Sequence, residues 1–171
     1  IAGYGASSHS KIVGEGSATI HLCNVKNGIA IQIFHSSNCS VKGIRFKNMY
    51  GGNFIKLGAS KNISITKCYF TGYKKSSGTV KEAIRIEVPD NKTKMFATSW
   101  GKNDKTVCNN ISIKHNTFNK LQRGIGSVKY TSKKYNKKIK VIANSFTNID
   151  DNAVNALNWK NATITWNRFD N

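Results

Sequence analysis

Five times along this chain the same spaced pattern recurs: Cys39-x-Val41-x-x-Ile44-x-Phe46, Ile63-x-Ile65-x-x-Cys68-x-Phe70, Ile111-x-Ile113-x-x-Asn116-x-Phe118, Ile139-x-Val141-x-x-Asn144-x-Phe146 and Ala162-x-Ile164-x-x-Asn167-x-Phe169. A repeat this regular fixes the architecture before any other feature is weighed. The phenylalanines at 46, 70, 118, 146 and 169 lie 24, 48, 28 and 23 residues apart, so the period is near 24 and one interval carries an insertion. Between the copies runs a second alternation: Ala30-Ile31-Gln32-Ile33, Phe54-Ile55-Lys56-Leu57, Ala83-Ile84-Arg85-Ile86, Gly124-Ile125-Gly126-Ser127 and Ala153-Val154-Asn155-Ala156. Each period therefore holds at least two short strands, too short and too β-branched for helices.

A strand this short cannot bury its apolar face alone, but stacked coils let each Ile, Val and Phe column fill a shared interior. The expectation is an all-β, single-stranded, right-handed parallel β-helix of about six coils over residues 1–171, with coils ~4.8 Å apart and the usual right-handed crossover. Asn116, Asn144 and Asn167 are expected to stack as an internal ladder. Asn tolerates a left-handed turn, and its amide can bond the same group one coil away. Cys68 and Ile44 continue that column. An antiparallel sandwich would need hairpin signals, and the column-by-column identity of the turns argues against it. Lys11-Ile12-Val13 to Thr19-Ile20-His21-Leu22 read as a first coil, and the last residue, Asn171, follows almost directly on a coil's aromatic. Solenoids hide their end strands under polar caps, so the chain is expected to be an excerpt of a longer protein.

The words Asn62-Ile63-Ser64-Ile65, Asn110-Ile111-Ser112-Ile113 and Asn161-Ala162-Thr163-Ile164, each followed by the aromatic, carry a resemblance, with Glu82-Ala83-Ile84-Arg85-Ile86 and Arg123-Gly124-Ile125-Gly126. They resemble the right-handed β-helix repeats of bacterial secreted and surface proteins in the pectate-lyase-like superfamily. The resemblance implies an extracellular protein, secreted or cell-wall associated, that handles polysaccharide as enzyme or as adhesin. Fold alone does not decide between these.

Charge narrows the partner. The chain has 27 basic and 8 acidic side chains, a formal net charge of +19 in 18.9 kDa, a field that attracts polyanions. Lysine supplies most of it, with arginine only at Arg45, Arg85, Arg123 and Arg168, which suits diffuse attraction over bidentate recognition. Expected partners are uronate polymers, glycosaminoglycans or wall teichoic acids, with nucleic acid bound only non-specifically. The competing view is a lysine-rich background that merely solubilises the exterior. No run of the sequence is long and apolar enough to span a membrane. Cys23, Cys39, Cys68 and Cys108 form no CxxC pair and stand at no metal-ligand spacing. Cys39 and Cys68 fill columns suited to small buried thiols, and a disulfide is not required. Most of the Asn-x-Ser/Thr triplets, at Asn38, Asn62, Asn91, Asn110 and Asn161, read as by-products of the coil.

Three stretches leave the repeat: 72–80, 88–108 and 128–138. Long excursions from a tight solenoid are where function resides, and these are expected to wall one lateral face. The substrate-binding candidates there and on the adjoining strands are Lys56, Arg85, Trp100, Arg123, Lys129, Tyr130, Lys133, Lys134 and Tyr135. Rings can stack on sugar faces while cations meet acids.

If Ile31, Ile55, Ile84, Ile125 and Val154 point inward, Gln32, Lys56, Arg85, Gly126 and Asn155 form an outward column. The next outward column is Phe34, Gly58, Glu87, Val128 and Leu157. Glu82, Arg123 and Asn152 align at the strand entrances beside Asp150 and Asp151. One reading is an ion-pair ladder, Glu82 with Arg123 and Arg85 with Glu87. The other is an active site with Lys56, Arg85, Glu87, Arg123, Asp150 and Asp151 as catalytic candidates. A polysaccharide lyase needs a base and a cation that neutralises the uronate carboxylate. Calcium-using relatives gather several carboxylates, and too few align here to support calcium; no other cofactor is expected. A glycoside hydrolase needs two carboxyls ~5 Å or more apart. Asp150-Asp151 resembles the paired aspartates of polygalacturonase-type enzymes, but that family's Gly-His-Gly and Arg-x-Lys words are absent. His9, His21, His35 and His115 read as surface or turn residues. The leading expectation is a non-catalytic domain that binds acidic polysaccharide in adhesion. The alternatives are a lyase or hydrolase on uronate polymers and a spacer held to the cell wall by charge.

Overall fold

The computed structural model describes residues 8–23, 25–74, 81–90, 102–127 and 133–170. Strands recur in triplets. The first is β1 (Lys11–Val13), β2 (Thr19–His21) and β3 (Ile29–Phe34); the second is β4 (Ser40–Lys42), β5 (Arg45–Tyr50) and β6 (Asn53–Gly58). Then come β7 (Lys61–Thr66), β8 (Tyr69–Lys74) and β9 (Glu82–Glu87), followed by β10 (Asn109–Lys114), β11 (Thr117–Leu121) and β12 (Arg123–Gly126). The fifth triplet is β13 (Asn136–Ile142), β14 (Ser145–Ile149) and β15 (Val154–Asn155), and β16 (Trp159–Lys160), β17 (Thr163–Thr165) and β18 (Arg168–Asp170) close the series.

Every named strand pairs in parallel with its counterpart one turn away, giving three sheets: β1-β4-β7-β10-β13-β16 with β17 beside β13, β2-β5-β8-β11-β14-β18, and β3-β6-β9-β12-β15. This is a parallel β-helix with three strands per turn. The repeated pattern of the sequence straddles a corner, its Ile-x-Ile half lying in the first sheet and its aromatic in the second. Register follows the sequence columns. Ile63, Ile111 and Ile139 are aligned neighbours, as are Ile31, Ile55, Ile84, Ile125 and Val154.

The aromatics form a stack through the interior. Ring centroids are 4.9 Å apart for Phe46–Phe70, 4.8 Å for Phe70–Phe118 and 4.7 Å for Phe118–Phe146, with planes within 12° of parallel. The 48-residue interval therefore leaves no trace in the core, because Phe70 and Phe118 stack as closely as their neighbours do.

The corner between the first and second sheets carries the amide ladder. Asn116 Oδ1 accepts from the Cys68 N–H at 2.9 Å, Asn144 Oδ1 from the Asn116 N–H at 3.0 Å, and Asn167 Oδ1 from the Asn144 N–H at 2.9 Å. Each amide also donates back to a carbonyl one coil earlier: Ile65, Ile113 and Val141. The backbone reason expected from the sequence shifts by one residue. The left-handed positions are Gly43, Lys67, His115, Ala143 and Trp166, immediately before the column, so Asn serves there as a two-ended hydrogen-bonding group.

A second left-handed column opens the first sheet's strands, with His9, Asn38, Asn62, Asn110, Lys138 and Asn161 all at φ between 53° and 64°. Here the sequon asparagines bond one another, Asn62 Nδ2 donating to Asn38 Oδ1 and Asn110 Nδ2 to Asn62 Oδ1. Asn91 lies outside the described residues. Cys39, Cys68 and Cys108 are buried free thiols and Cys23 is an exposed one; burial pushes the Cys108 thiol up to about 12.

The excursions are shorter than the loss of periodicity suggests. Residues 72–74 continue β8 and 136–138 begin β13. The stretch after β9 returns on itself, with Asp90 bridging Asp104 in antiparallel fashion and the Lys105 N–H donating to the Pro89 carbonyl at 2.8 Å.

That return alters the second outward column. Phe34 and Glu87 stand in the expected register, yet they are only 0% and 1% exposed. The returning segment meets this end of the sheet. His35 donates from Nε2 to the Lys102 carbonyl at 2.7 Å and lies 3.7 Å from Asp104, and Cys108 Sγ reaches the Glu87 carbonyl. His35 is thus a buried residue at a bend, the second of the two placements, surface or turn, expected for it.

Candidate functional site

The charged row of the third sheet is built by register: Lys56 lies beside Arg85 and Glu82 beside Arg123. Arg85 Nε donates to Glu87 Oε1 at 2.9 Å. Arg123 donates from Nε to Asp151 Oδ2 at 2.7 Å and from Nη1 to Glu82 Oε1 at 3.4 Å. Asp150 turns elsewhere and accepts the Tyr73 hydroxyl, a bond that raises the Tyr73 pKa. The two adjacent aspartates are therefore committed to different partners.

Glu82 is fully buried. Burial raises its pKa against the pull of Arg85 and Arg123. Buried carboxylates of this kind persist only when paired, and Arg123 supplies that pairing at Oε1, with the Arg85 charge nearby. Asn53 Nδ2, on the preceding strand, donates to the Glu82 carbonyl at 2.6 Å.

Lys56 is the most perturbed cation. Burial, then the Arg85 charge, lower its pKa to about 8, against the attraction of Glu87. Below pH 8 both folded and unfolded chains hold this proton and the cost of burying the ammonium is present in full. Between pH 8 and about 10.4 the unfolded chain binds more protons, so stability rises with pH. The wild-type protein is expected to gain roughly 2–3 kcal/mol from this group across that window, a gain that Lys56→Met lacks. Urea unfolding at pH 7 and pH 10 measures the difference, and parallel pH profiles for the two proteins would refute it.

The excursions and the strands after them build a second, more open feature at the corner leading from the third sheet into the first. Lys105, Lys133, Lys134, Lys137 and Lys160 surround Tyr135 and Val107 in a groove of about 410 Å³. Lys137 and Lys160 are adjacent in register on β13 and β16, while Lys133 to Tyr135 approach along the excursion. The lining contains no carboxylate, whereas Arg85, Arg123 and Arg168 each lie against one.

The structure thus divides the expected binding residues. Lys133, Lys134 and Tyr135 gather in the groove, whereas Lys56, Arg85 and Arg123 belong to the charged row. Trp100, Lys129 and Tyr130 lie outside the described residues. Lys160 was not legible as a partner, since only strand register brings it beside Lys137. Among the described residues no three His, Cys, Asp or Glu side chains cluster as metal ligands, and no helix is long and apolar enough to cross a membrane.

Three parallel sheets wound into one solenoid, with basic corner segments, define a right-handed β-helix protein. The chain belongs to the family described as the right handed beta helix region, whose model matches residues 11–169. It is 28% identical over 169 residues to "Plasmin and fibronectin-binding protein A" of Streptococcus pneumoniae (strain ATCC BAA-255 / R6), an alignment covering 91% of this chain and 23% of that protein. Two solved structures of PfbA, described as a surface adhesin of Streptococcus pneumoniae, superpose with a TM-score of 0.73 at 26% identity. They cover 81% of this chain and 32% and 35% of those chains. The chain therefore spans less than a quarter of the curated relative and about a third of the solved chains.

Proposed function

We propose that this chain is the β-helix region of a bacterial surface adhesin and that it holds acidic polysaccharide in the corner groove. The observation carrying this is five lysines around one tyrosine with no carboxylate in the lining. Unpaired ammonium groups at close quarters repel one another, and a polyanion removes that repulsion. The surface adhesin PfbA, similar over most of this chain, supports the adhesive role and an extracellular, cell-surface location. The commitment of Glu82, Glu87 and Asp151 to arginines favours binding over cleavage. Plasmin and fibronectin, named for the curated relative, are the second class of ligand for this chain.

The test is binding to immobilised polygalacturonate, plasmin and fibronectin at physiological salt, where diffuse attraction is screened beyond about 8 Å. Lys133→Gln, Lys134→Gln and Lys137→Gln together are expected to weaken polygalacturonate binding at least tenfold, at about 1 kcal/mol per lysine facing an anionic surface. Unchanged affinity, or release of cleaved oligosaccharide by the wild-type protein, would overturn the proposal. Binding of the host proteins alone would replace the ligand and keep the adhesive role.

A further inference from the structure

We infer that the corner groove is one end of a longer track, in which an extended acidic polysaccharide crosses the solenoid along β13 rather than along the axis. This rests on the polysaccharide-binding reading above and adds a site and a direction to it.

A second groove, about 450 Å³, lies on the first sheet and is lined by Lys61, Asn109, Asn110, Lys138, Lys140 and Asn161 among others, again with no carboxylate. Strand β13 joins the two, since Lys137 lines the first groove while Lys138 and Lys140 line the second. In an ordinary strand, neighbouring side chains take opposite faces, yet Lys137 and Lys138 are both exposed. The left-handed backbone of Lys138, φ 53°, breaks the alternation and turns both outward.

Lys138 also departs from its own column. The equivalent positions are Asn38, Asn62, Asn110 and Asn161, with His9 at the start, and Asn tolerates this conformation better than lysine does. Lysine takes this backbone elsewhere too, at Lys67 and Lys120, so what distinguishes Lys138 is its place on β13 between the two grooves. What it yields is a fifth cation in eight residues: Lys133, Lys134, Lys137, Lys138 and Lys140. The competing axial path is weaker in charge, because the columns that run through the grooves from coil to coil are interrupted by amides. One reads Lys61, Asn109, Lys137 and Lys160 and the other Asn62, Asn110, Lys138 and Asn161, whereas β13 presents Lys137, Lys138 and Lys140. A single aromatic in the two linings is too few for a stack of nucleobases. Side-chain amides along the second groove suit the hydroxyls of a sugar chain.

The experiment measures affinity for short and long oligogalacturonates, using wild-type protein and the pair Lys138→Asn with Lys140→Gln. Lys138→Asn restores the column's usual residue and preserves the fold. The pair is expected to lose about tenfold in affinity for the long oligomer, to keep the wild-type affinity for the short one, and to reduce the salt dependence. Lys42→Gln with Lys114→Gln, which removes equal charge from the same sheet outside both grooves, is expected to change neither. Equal losses in the two pairs, or no loss in the first, would overturn the track while leaving the corner groove as the binding site. Failure of the wild-type protein to bind either oligomer would overturn the polysaccharide reading itself.

Discussion

Replacing Phe118 by alanine is expected to lower the stability of the protein by about 3–5 kcal/mol, the range for truncating a fully buried aromatic. Phe118 is 0% exposed and sits mid-stack, 4.8 Å from the Phe70 ring and 4.7 Å from that of Phe146. Parallel strands above and below fix the coil spacing, so the neighbouring rings cannot close the gap without breaking strand hydrogen bonds. The cost should therefore fall at the upper end of the range. Phe169, at the end of the stack and 56% exposed, should lose far less on the same change. Urea unfolding of the two variants tests this, and similar losses would mean that the stack does not act as a continuous column.

Asn144→Leu should be nearly as damaging, although it adds apolar surface. The side chain is 2% exposed. It accepts from the Asn116 N–H and from Asn116 Nδ2, and donates to the Ile113 carbonyl. Leucine leaves that N–H and carbonyl buried without partners, at about 1–3 kcal/mol each. The expected loss is roughly 2–5 kcal/mol, with the backbone amides of residues 113–117 becoming less protected against hydrogen exchange. A loss below about 1 kcal/mol would show that the corner re-forms its bonds without the amide. Asn167→Leu, where the amide is only partly buried, serves as the milder comparison.

The core was legible because a parallel solenoid maps sequence columns directly onto spatial columns. Ile63, Ile111 and Ile139 could be aligned by eye, and the amide ladder followed from Asn116, Asn144 and Asn167 recurring at one phase. Which residue of the corner turns left-handed was not legible, since Lys67, His115 and Ala143 share no side-chain chemistry; the corner imposes it whether the next residue is Ile44, Cys68 or an asparagine. The alignment of Glu82 with Arg123 was likewise readable, and the ion pair formed. Alternation alone assigned Phe34 and Glu87 to an open face. Their burial depends on where the stretch after β9 returns, and a segment without periodicity carries no signal for its own path. The groove shows the same division, because Lys133 and Lys134 stood out by density whereas Lys160 gained meaning only through pairing with β13.

The undisturbed stacking of Phe70 on Phe118 across a 48-residue interval has a consequence for how such a chain changes. Long stretches can be added at a corner without shifting any interior neighbour, so the scaffold and its outer decorations are inherited almost independently. Altered ligand preference would then come from exchanging corner segments as whole cassettes, with the columns left untouched. Grafting residues 133–135 onto the corresponding corner of another coil would move their two cations and one ring by a fixed number of strand spacings, which makes the solenoid a ruler on which surface groups can be placed at chosen distances.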